Sequence, residues 1–126
     1  RDSYNVSRLS QVAAVAALGD SAYYDALIQK IKATRDHYRQ VWTQQWGWFS
    51  YPSATNFIFV EPKTRSGRVG PDVAKAVYDA LYQRKVLVRA FPNHPLTAPF
   101  LRISVGTDAE MAAVNQLLLE WHSSAQ

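Results

Sequence analysis

Apolar residues recur every three or four positions in four stretches of the chain, and this spacing predicts four amphipathic helices. The first helix, residues 7–19, is rich in alanine, with Ser7 as its cap and Gly19 as its end. A long second helix is predicted over residues 20–46. Its apolar stripe consists of Tyr24, Leu27, Ile28, Ile31, Tyr38, Val41 and Trp42.

The other two predicted helices carry clear start signals. Pro71 opens the third helix, because its fixed φ suits the first helical position. The predicted buried face of this helix is Val73, Ala76, Val77, Ala80 and Leu81. Thr107 and Glu110 have the spacing of a capping box and open the fourth helix. The predicted buried face of the fourth helix is Met111, Val114, Leu117, Leu118 and Trp121.

Three segments between the helices switch to a period of two, which predicts strands. These segments are residues 57–60, 86–91 and 101–105. The predicted order is therefore helix, helix, strand, helix, strand, strand, helix. This order indicates an α+β fold, in which a small, mainly antiparallel sheet carries the helices on one face.

Each of the last two predicted strands carries one arginine near the proline-rich loop that joins them. If the two strands pair antiparallel, Arg89 and Arg102 meet at one end of the hairpin. Opposed like charges destabilise a sheet, so a site with two guanidinium groups usually holds an anion as well. The residues alone leave two sources of that anion open: a ligand, or a structural ion pair with a carboxylate such as Glu61 or Asp108.

Composition narrows the class of protein. The 126 residues are 48% hydrophobic and 19% charged, which suits one domain with its own core. The absence of cysteine excludes disulfides and thiolate metal sites, and together with the lack of a leader or a long apolar run it predicts a cytoplasmic protein. The net charge of +4 is dispersed, so we expect no nucleic acid or membrane partner. His37, His94 and His122 match no metal motif, and no metal site is predicted.

Four segments, in this order and at these separations, carry a resemblance to a known family. They are "SYNVSRLSQVAAVAALGD", "PSATNFIFVEP", "VLVRAF" and "LRISVGTDAEM". Together they resemble the C-terminal part of the histidinol-phosphate aminotransferases, which are fold-type I pyridoxal-phosphate enzymes. The resemblance covers nearly the whole chain. It implies residues 1–19 as a connecting helix toward a large domain missing from this chain, and residues 20–126 as the C-terminal small domain.

The resemblance also implies a function for the two arginines. In this family the arginine of the "LRISVG" strand, here Arg102, holds an anionic group of the substrate, typically a carboxylate. The arginine of the "LVR" strand, here Arg89, helps to clamp a phosphate. The full-length enzyme implied is a homodimer that transfers an amino group between histidinol phosphate and 2-oxoglutarate in histidine biosynthesis. Its cofactor is pyridoxal 5'-phosphate, and its substrates are small phosphorylated and dicarboxylate molecules.

The chain departs from a complete enzyme of this family, and it leaves alternatives open. Such an enzyme needs a Schiff-base lysine, and none of the lysines here reads as desolvated and poised. We therefore assign no catalytic, cofactor-binding or metal-binding residue, and expect a fragment that is inactive alone, as the opening at Arg1 without methionine also predicts. The alternatives are a threonine-phosphate decarboxylase, another class I or II aminotransferase small domain, or an independent, non-enzymatic module that binds a small anion.

Overall fold

The structure, a computed structural model, describes residues 5–125. Residues 1–4 and 126, which belong to the predicted domain bounds, lie outside the described residues. The elements of the described part are α1 (Arg8–Gly19), α2 (Ser21–Gln40), a π-helical segment (Val41–Gln45), β1 (Phe49–Ser50), β2 (Phe57–Glu61), α3 (Pro71–Gln83), β3 (Arg89–Ala90), β4 (Leu101–Ser104) and α4 (Asp108–Ser124). Two compact units divide the chain: one extends to Lys30, and the other begins at Ile31.

The first unit contains α1 and the first half of α2. Ser7 caps α1 as predicted, because its hydroxyl accepts a hydrogen bond of 3.1 Å from the amide of Ser10. No residue of α1 is buried. The apolar stripe predicted for the second helix is not buried in its first half, since Tyr24, Leu27 and Ile28 are 41%, 42% and 45% exposed. The other exposed large apolar residues of this unit are Val6, Leu9, Val12, Val15, Leu18 and Tyr23.

The second unit is built on a four-stranded antiparallel sheet, in the order β1-β2-β4-β3. One face of the sheet is buried, and its central residues are Ile58, Val60, Leu101 and Ile103. The opposite face presents alternate residues of the same strands. The strand predicted over residues 86–91 is shorter than expected, because only Arg89 and Ala90 pair with β4.

The third and fourth helices cover the buried face of the sheet. The core of this unit comprises Trp42, Trp48, Ile58, Val60, Ala74, Val77, Leu81, Val88, Leu101, Ile103, Met111 and Leu118. One residue of the predicted face of α3 is wrong: Ala76 is exposed, and Ala74 is buried instead. Successive residues turn by about 100°, so Ala76 lies roughly 200° around the helix from Ala74. The α+β class, with four helices and a small antiparallel sheet, is confirmed.

Two short elements were not predicted. The long second helix changes at residue 41 to a π-helical segment, which buries Trp42 completely. The indole nitrogen of Trp42 donates a hydrogen bond of 2.9 Å to Oδ1 of Asn115 on α4. The strand β1 has two residues, too few for any alternation to be visible in the sequence. The described part of the chain contains no helix long and apolar enough to cross a membrane.

Candidate binding site

Arg89 and Arg102 lie directly opposite each other where β3 pairs with β4. The prediction that the two arginines meet across the hairpin is therefore confirmed. Directly opposed residues in an antiparallel pair have Cβ atoms roughly 5 Å apart, so two positive charges are concentrated at one end of the sheet. Both side chains belong to the face opposite the core, since the neighbouring Ala90 and Leu101 pair on the core side.

Each guanidinium group lies over an aromatic ring. Cζ of Arg89 is 5.5 Å from the ring centroid of Phe91, and Cζ of Arg102 is 5.4 Å from that of Phe57. The negative face of an aromatic ring attracts a cation at this distance. A ring face offers no oxygen acceptor, however, so it leaves the in-plane N–H groups of a guanidinium available to an anion.

Neither arginine is neutralised by a carboxylate within residues 5–125. The ion pairs that the structure describes there join other residues, among them Arg68 with Asp72 and Arg84 with Glu120. Glu61, one of the carboxylates considered from the sequence, forms no ion pair with either arginine among the described residues. The Nε atom of Arg102 is buried and has no hydrogen-bond partner. A buried donor left unpaired costs about 1–3 kcal/mol, so an acceptor that reached this atom would remove that cost.

Both arginines line a groove of about 990 Å³ between α3 and the edge of the sheet. Its volume is at the upper end of the range typical of small-molecule sites, roughly 300–1,000 Å³. The wall that α3 contributes includes Lys75, Tyr78 and Asp79, and Lys75 is paired with Asp79. Asp72 also lines the groove and is paired with Arg68, so within the described part of the chain the charges of the groove without an ion-pair partner are those of the two arginines.

Sequence reasoning missed the aromatic residues that surround the arginines and the wall formed by α3. Phe59 lies directly opposite Arg102 in the sheet. Its ring stacks on that of Phe100, with centroids 4.6 Å apart, and meets that of Phe91 edge-on at 5.7 Å. A signal was present, because a period of two places Phe57, Phe59 and the arginines on one face. The position of α3 depends on tertiary packing and has no such signal.

Comparison with known proteins places the chain in a family. The family profile described as "Aminotransferase class I and II" matches residues 1–117. The chain belongs to this family. Within the described residues of this aminotransferase chain, no group of histidine, aspartate or glutamate side chains could hold a metal ion.

Relatives of this aminotransferase chain include enzymes named histidinol-phosphate aminotransferase. The one from Syntrophotalea carbinolica is 44% identical over 111 residues, which is 88% of this chain and 29% of that protein. The one from Synechocystis is 40% identical over 119 residues, 94% of this chain and 31% of that protein. The resemblance read from the sequence is thus confirmed.

A solved structure agrees with the sequence relatives. The crystal structure of histidinol-phosphate aminotransferase from Sinorhizobium meliloti, in complex with pyridoxal-5'-phosphate, is similar with a TM-score of 0.72 and 30% identity. The match covers 95% of this chain and 32% of that one. The chain spans about a third of the length of the curated relatives it matches.

Proposed function

We propose that this chain is the C-terminal small domain of a histidinol-phosphate aminotransferase, and that it supplies the two arginines that bind the anionic groups of the substrates. The observation that carries the proposal is the opposition of Arg89 and Arg102 across β3 and β4 without a neutralising carboxylate among the described residues. Family membership and the relatives of that name support the choice of reaction.

The two arginines differ in the anionic groups that they bind in this proposal. Arg102, whose Nε is buried without a partner, binds an anionic group in both half-reactions. In one half-reaction this group is the carboxylate of the amino acid or oxo acid, and in the other it is the phosphate of histidinol phosphate. Arg89, which is more exposed, binds the phosphate together with Arg102. A planar guanidinium presents paired N–H donors to carboxylate and phosphate oxygens, and lysine does not.

Pyridoxal 5'-phosphate is the cofactor of the full-length enzyme in this proposal. When bound, it supplies the electron sink for amino transfer. The lysines of this chain do not fit the covalent attachment that the cofactor needs. Lys75 pairs with Asp79 on the surface of α3, Lys63 lies half-buried in a loop, and the others, Lys30, Lys32 and Lys85, are exposed. The attachment site therefore belongs to the large domain of the same polypeptide, and no step of the reaction is assigned to these lysines.

The wider context of the proposal follows from the family resemblance. The full-length protein is a cytoplasmic homodimer, and this domain packs against its own large domain. Two other functions remain as outcomes of the test: a threonine-phosphate decarboxylase, which also clamps a phosphorylated substrate with arginines, and an independent module that binds a small anion without catalysis.

The test is an assay of the full-length polypeptide purified with pyridoxal 5'-phosphate. We expect amino transfer from histidinol phosphate to 2-oxoglutarate, and no release of carbon dioxide from threonine phosphate. Decarboxylation of threonine phosphate would assign the alternative enzyme. A reading frame that begins just before Arg1, and whose product binds phosphate without turnover, would assign the binding module.

A further inference from the structure

The two arginines of the groove share a structural feature that has no role in the proposed function above. Each has one phenylalanine ring under its guanidinium group, at nearly the same distance: Phe91 for Arg89 and Phe57 for Arg102. The two rings come from different strands. Phe57 belongs to β2, next to β4, whereas Phe91 follows Arg89 by two residues and so emerges on the same side of the chain.

The rings counteract the electrostatic repulsion between the two arginines. Two opposed guanidinium groups repel each other, and long arginine side chains respond by turning away into solvent. A ring face attracts the cation and attaches each guanidinium to its own place on the sheet. The in-plane N–H donors stay available, because the ring attracts the positive charge but accepts no hydrogen bond from those N–H groups.

The ring of Phe91 is held by aromatic packing, and the backbone of Phe57 is held by the sheet. Phe91 meets Phe59 edge-on, and Phe59 stacks on Phe100, which is 8% exposed. Phe57 is half-buried and pairs across the sheet with Ser104. Rings restricted in this way keep the guanidinium groups above them close to the positions that anion binding requires.

We infer that Phe57 and Phe91 are positioning residues, which hold Arg102 and Arg89 apart and oriented toward the anions of the substrate. This inference rests on the proposed function of the arginines, and it adds that their affinity depends on the rings beneath them. Phe57 then acts on every substrate through Arg102, and Phe91 acts mainly on the phosphorylated substrate through Arg89.

The chain offers a matched control for the test. Phe49 lies on the same face of the sheet and is 48% exposed, and its ring contacts Tyr51 and Phe100 but neither arginine. Phe57→Leu, Phe91→Leu and Phe49→Leu are therefore compared in the full-length protein. Calorimetry measures the Kd of glutarate and of inorganic phosphate, kinetics measure kcat/KM for both half-reactions, and thermal unfolding monitors stability.

Phe57→Leu should weaken the binding of both glutarate and phosphate, and Phe91→Leu mainly that of phosphate, each by about 3- to 10-fold, the range of a partly exposed cation–π contact. Phe49→Leu should change neither Kd, and Phe57→Tyr should restore glutarate binding because it keeps the ring. Trifluorophenylalanine at position 57 preserves the shape but weakens the negative ring face, so it should reproduce the loss even if the leucine variant fails to fold.

A double-mutant cycle separates positioning from a general structural role. In an Arg102→Ala background, Phe57→Leu should cause no further loss of affinity, since the ring acts only through the arginine. An undiminished loss in that background, or wild-type affinity with trifluorophenylalanine, would overturn the inference. If Arg89→Ala and Arg102→Ala weaken binding while both leucine variants bind normally, only the inference fails. If the alanine variants themselves bind normally, both the proposed function and the inference are wrong.

Discussion

The amide of Val86 donates a hydrogen bond of 2.9 Å to the carbonyl oxygen of Leu81, and this bond closes the C-terminus of α3. The amide of Lys85 donates to Tyr82 at the same distance. Together the two bonds form a Schellman motif, which turns the chain from the helix toward the strand that carries Arg89. In this turn Lys85 adopts a positive φ of 61°, a conformation that favours glycine and is strained for other residues.

We expect Lys85→Gly to stabilise the protein by about 0.5–1 kcal/mol, because glycine adopts the left-handed conformation without the steric cost of a Cβ atom. The matched control is Ala76→Gly, at an exposed position inside the same helix, which should destabilise by about 1 kcal/mol. Urea unfolding of both variants measures the change. A loss of stability in Lys85→Gly would show that the lysine side chain itself stabilises the turn.

The capping box of α4 predicts a dependence of stability on pH. Hydrogen bonds from the backbone amide and the hydroxyl of Thr107, 2.7 and 2.8 Å long, lower the pKa of the Glu110 carboxyl. Because the folded-state pKa lies below the unfolded one, this contribution is complete above the unfolded pKa and is lost as pH falls through the folded pKa.

Unfolding free energy should therefore fall more steeply in the wild type than in Glu110→Gln, over the range from roughly pH 5 downward, around the ordinary glutamate pKa of about 4.3. Thr107→Ser, which keeps both donors, should retain the wild-type slope. Urea unfolding at a series of pH values measures the slopes. Parallel curves for the wild type and Glu110→Gln would contradict this account of the cap.

The apolar surface of the first unit predicts self-association of the isolated 126-residue chain. Leu9 and Leu18 are 80% and 83% exposed, and they share this unit with several other exposed apolar residues. Contiguous apolar surface drives association. Sedimentation of the wild type should depend on concentration, and Leu9→Ser combined with Leu18→Ser should weaken that dependence. Leu96→Ser, at a residue of the second unit that is 79% exposed, is the control and should not. A wild type that stays monomeric at high concentration would refute the prediction.

The isolated chain should also show no covalent attachment of pyridoxal phosphate and no transaminase activity. Its lysines are surface groups or lie in a loop, and an amine is nucleophilic at neutral pH only when burial or a neighbouring charge lowers its pKa. Borohydride reduction followed by mass spectrometry measures attachment. Scattered, substoichiometric labelling of surface lysines is the expected background, whereas one lysine labelled stoichiometrically would contradict the prediction.

Much of the secondary structure was predictable because its signals are local. The Ser7 cap, the start of α3 at Pro71 and the capping box at Thr107 appear where the sequence placed them. The opposition of Arg89 and Arg102 was also predictable, since each arginine stands near the loop end of its strand and antiparallel pairing brings those ends together.

The features that were missed depend on tertiary packing. The apolar stripe of α2 continues through Leu27 and Ile28, but a periodic pattern does not say whether anything covers it. The groove forms only because α3 lies against the edge of the sheet, and the contact of Arg102 with Phe57 follows from the register of β2 with β4. Register between strands that are distant in sequence is set by the fold and not by either strand alone.

The central claim is that Arg89 and Arg102 bind substrate anions in the full-length enzyme, and their substitution tests it most directly. Loss of a charge-assisted bond to a buried anion costs on the order of 2–5 kcal/mol, or roughly 30- to several-thousand-fold in kcat/KM. Arg102→Ala should impair every substrate by this amount. Arg89→Ala should weaken histidinol phosphate more than glutamate, and Arg89→Lys should recover only part of the loss, because a point charge replaces a planar fork.

The decisive measurement is kcat/KM of each variant for histidinol phosphate and for glutamate, with thermal unfolding measured on the same samples. The account predicts that Arg89→Ala changes the ratio of the two kcat/KM values, that Arg102→Ala lowers both, and that neither variant shows a matching drop in melting temperature. Small, equal losses for both substrates together with a clear drop in melting temperature would contradict it, and would assign the arginines a structural role.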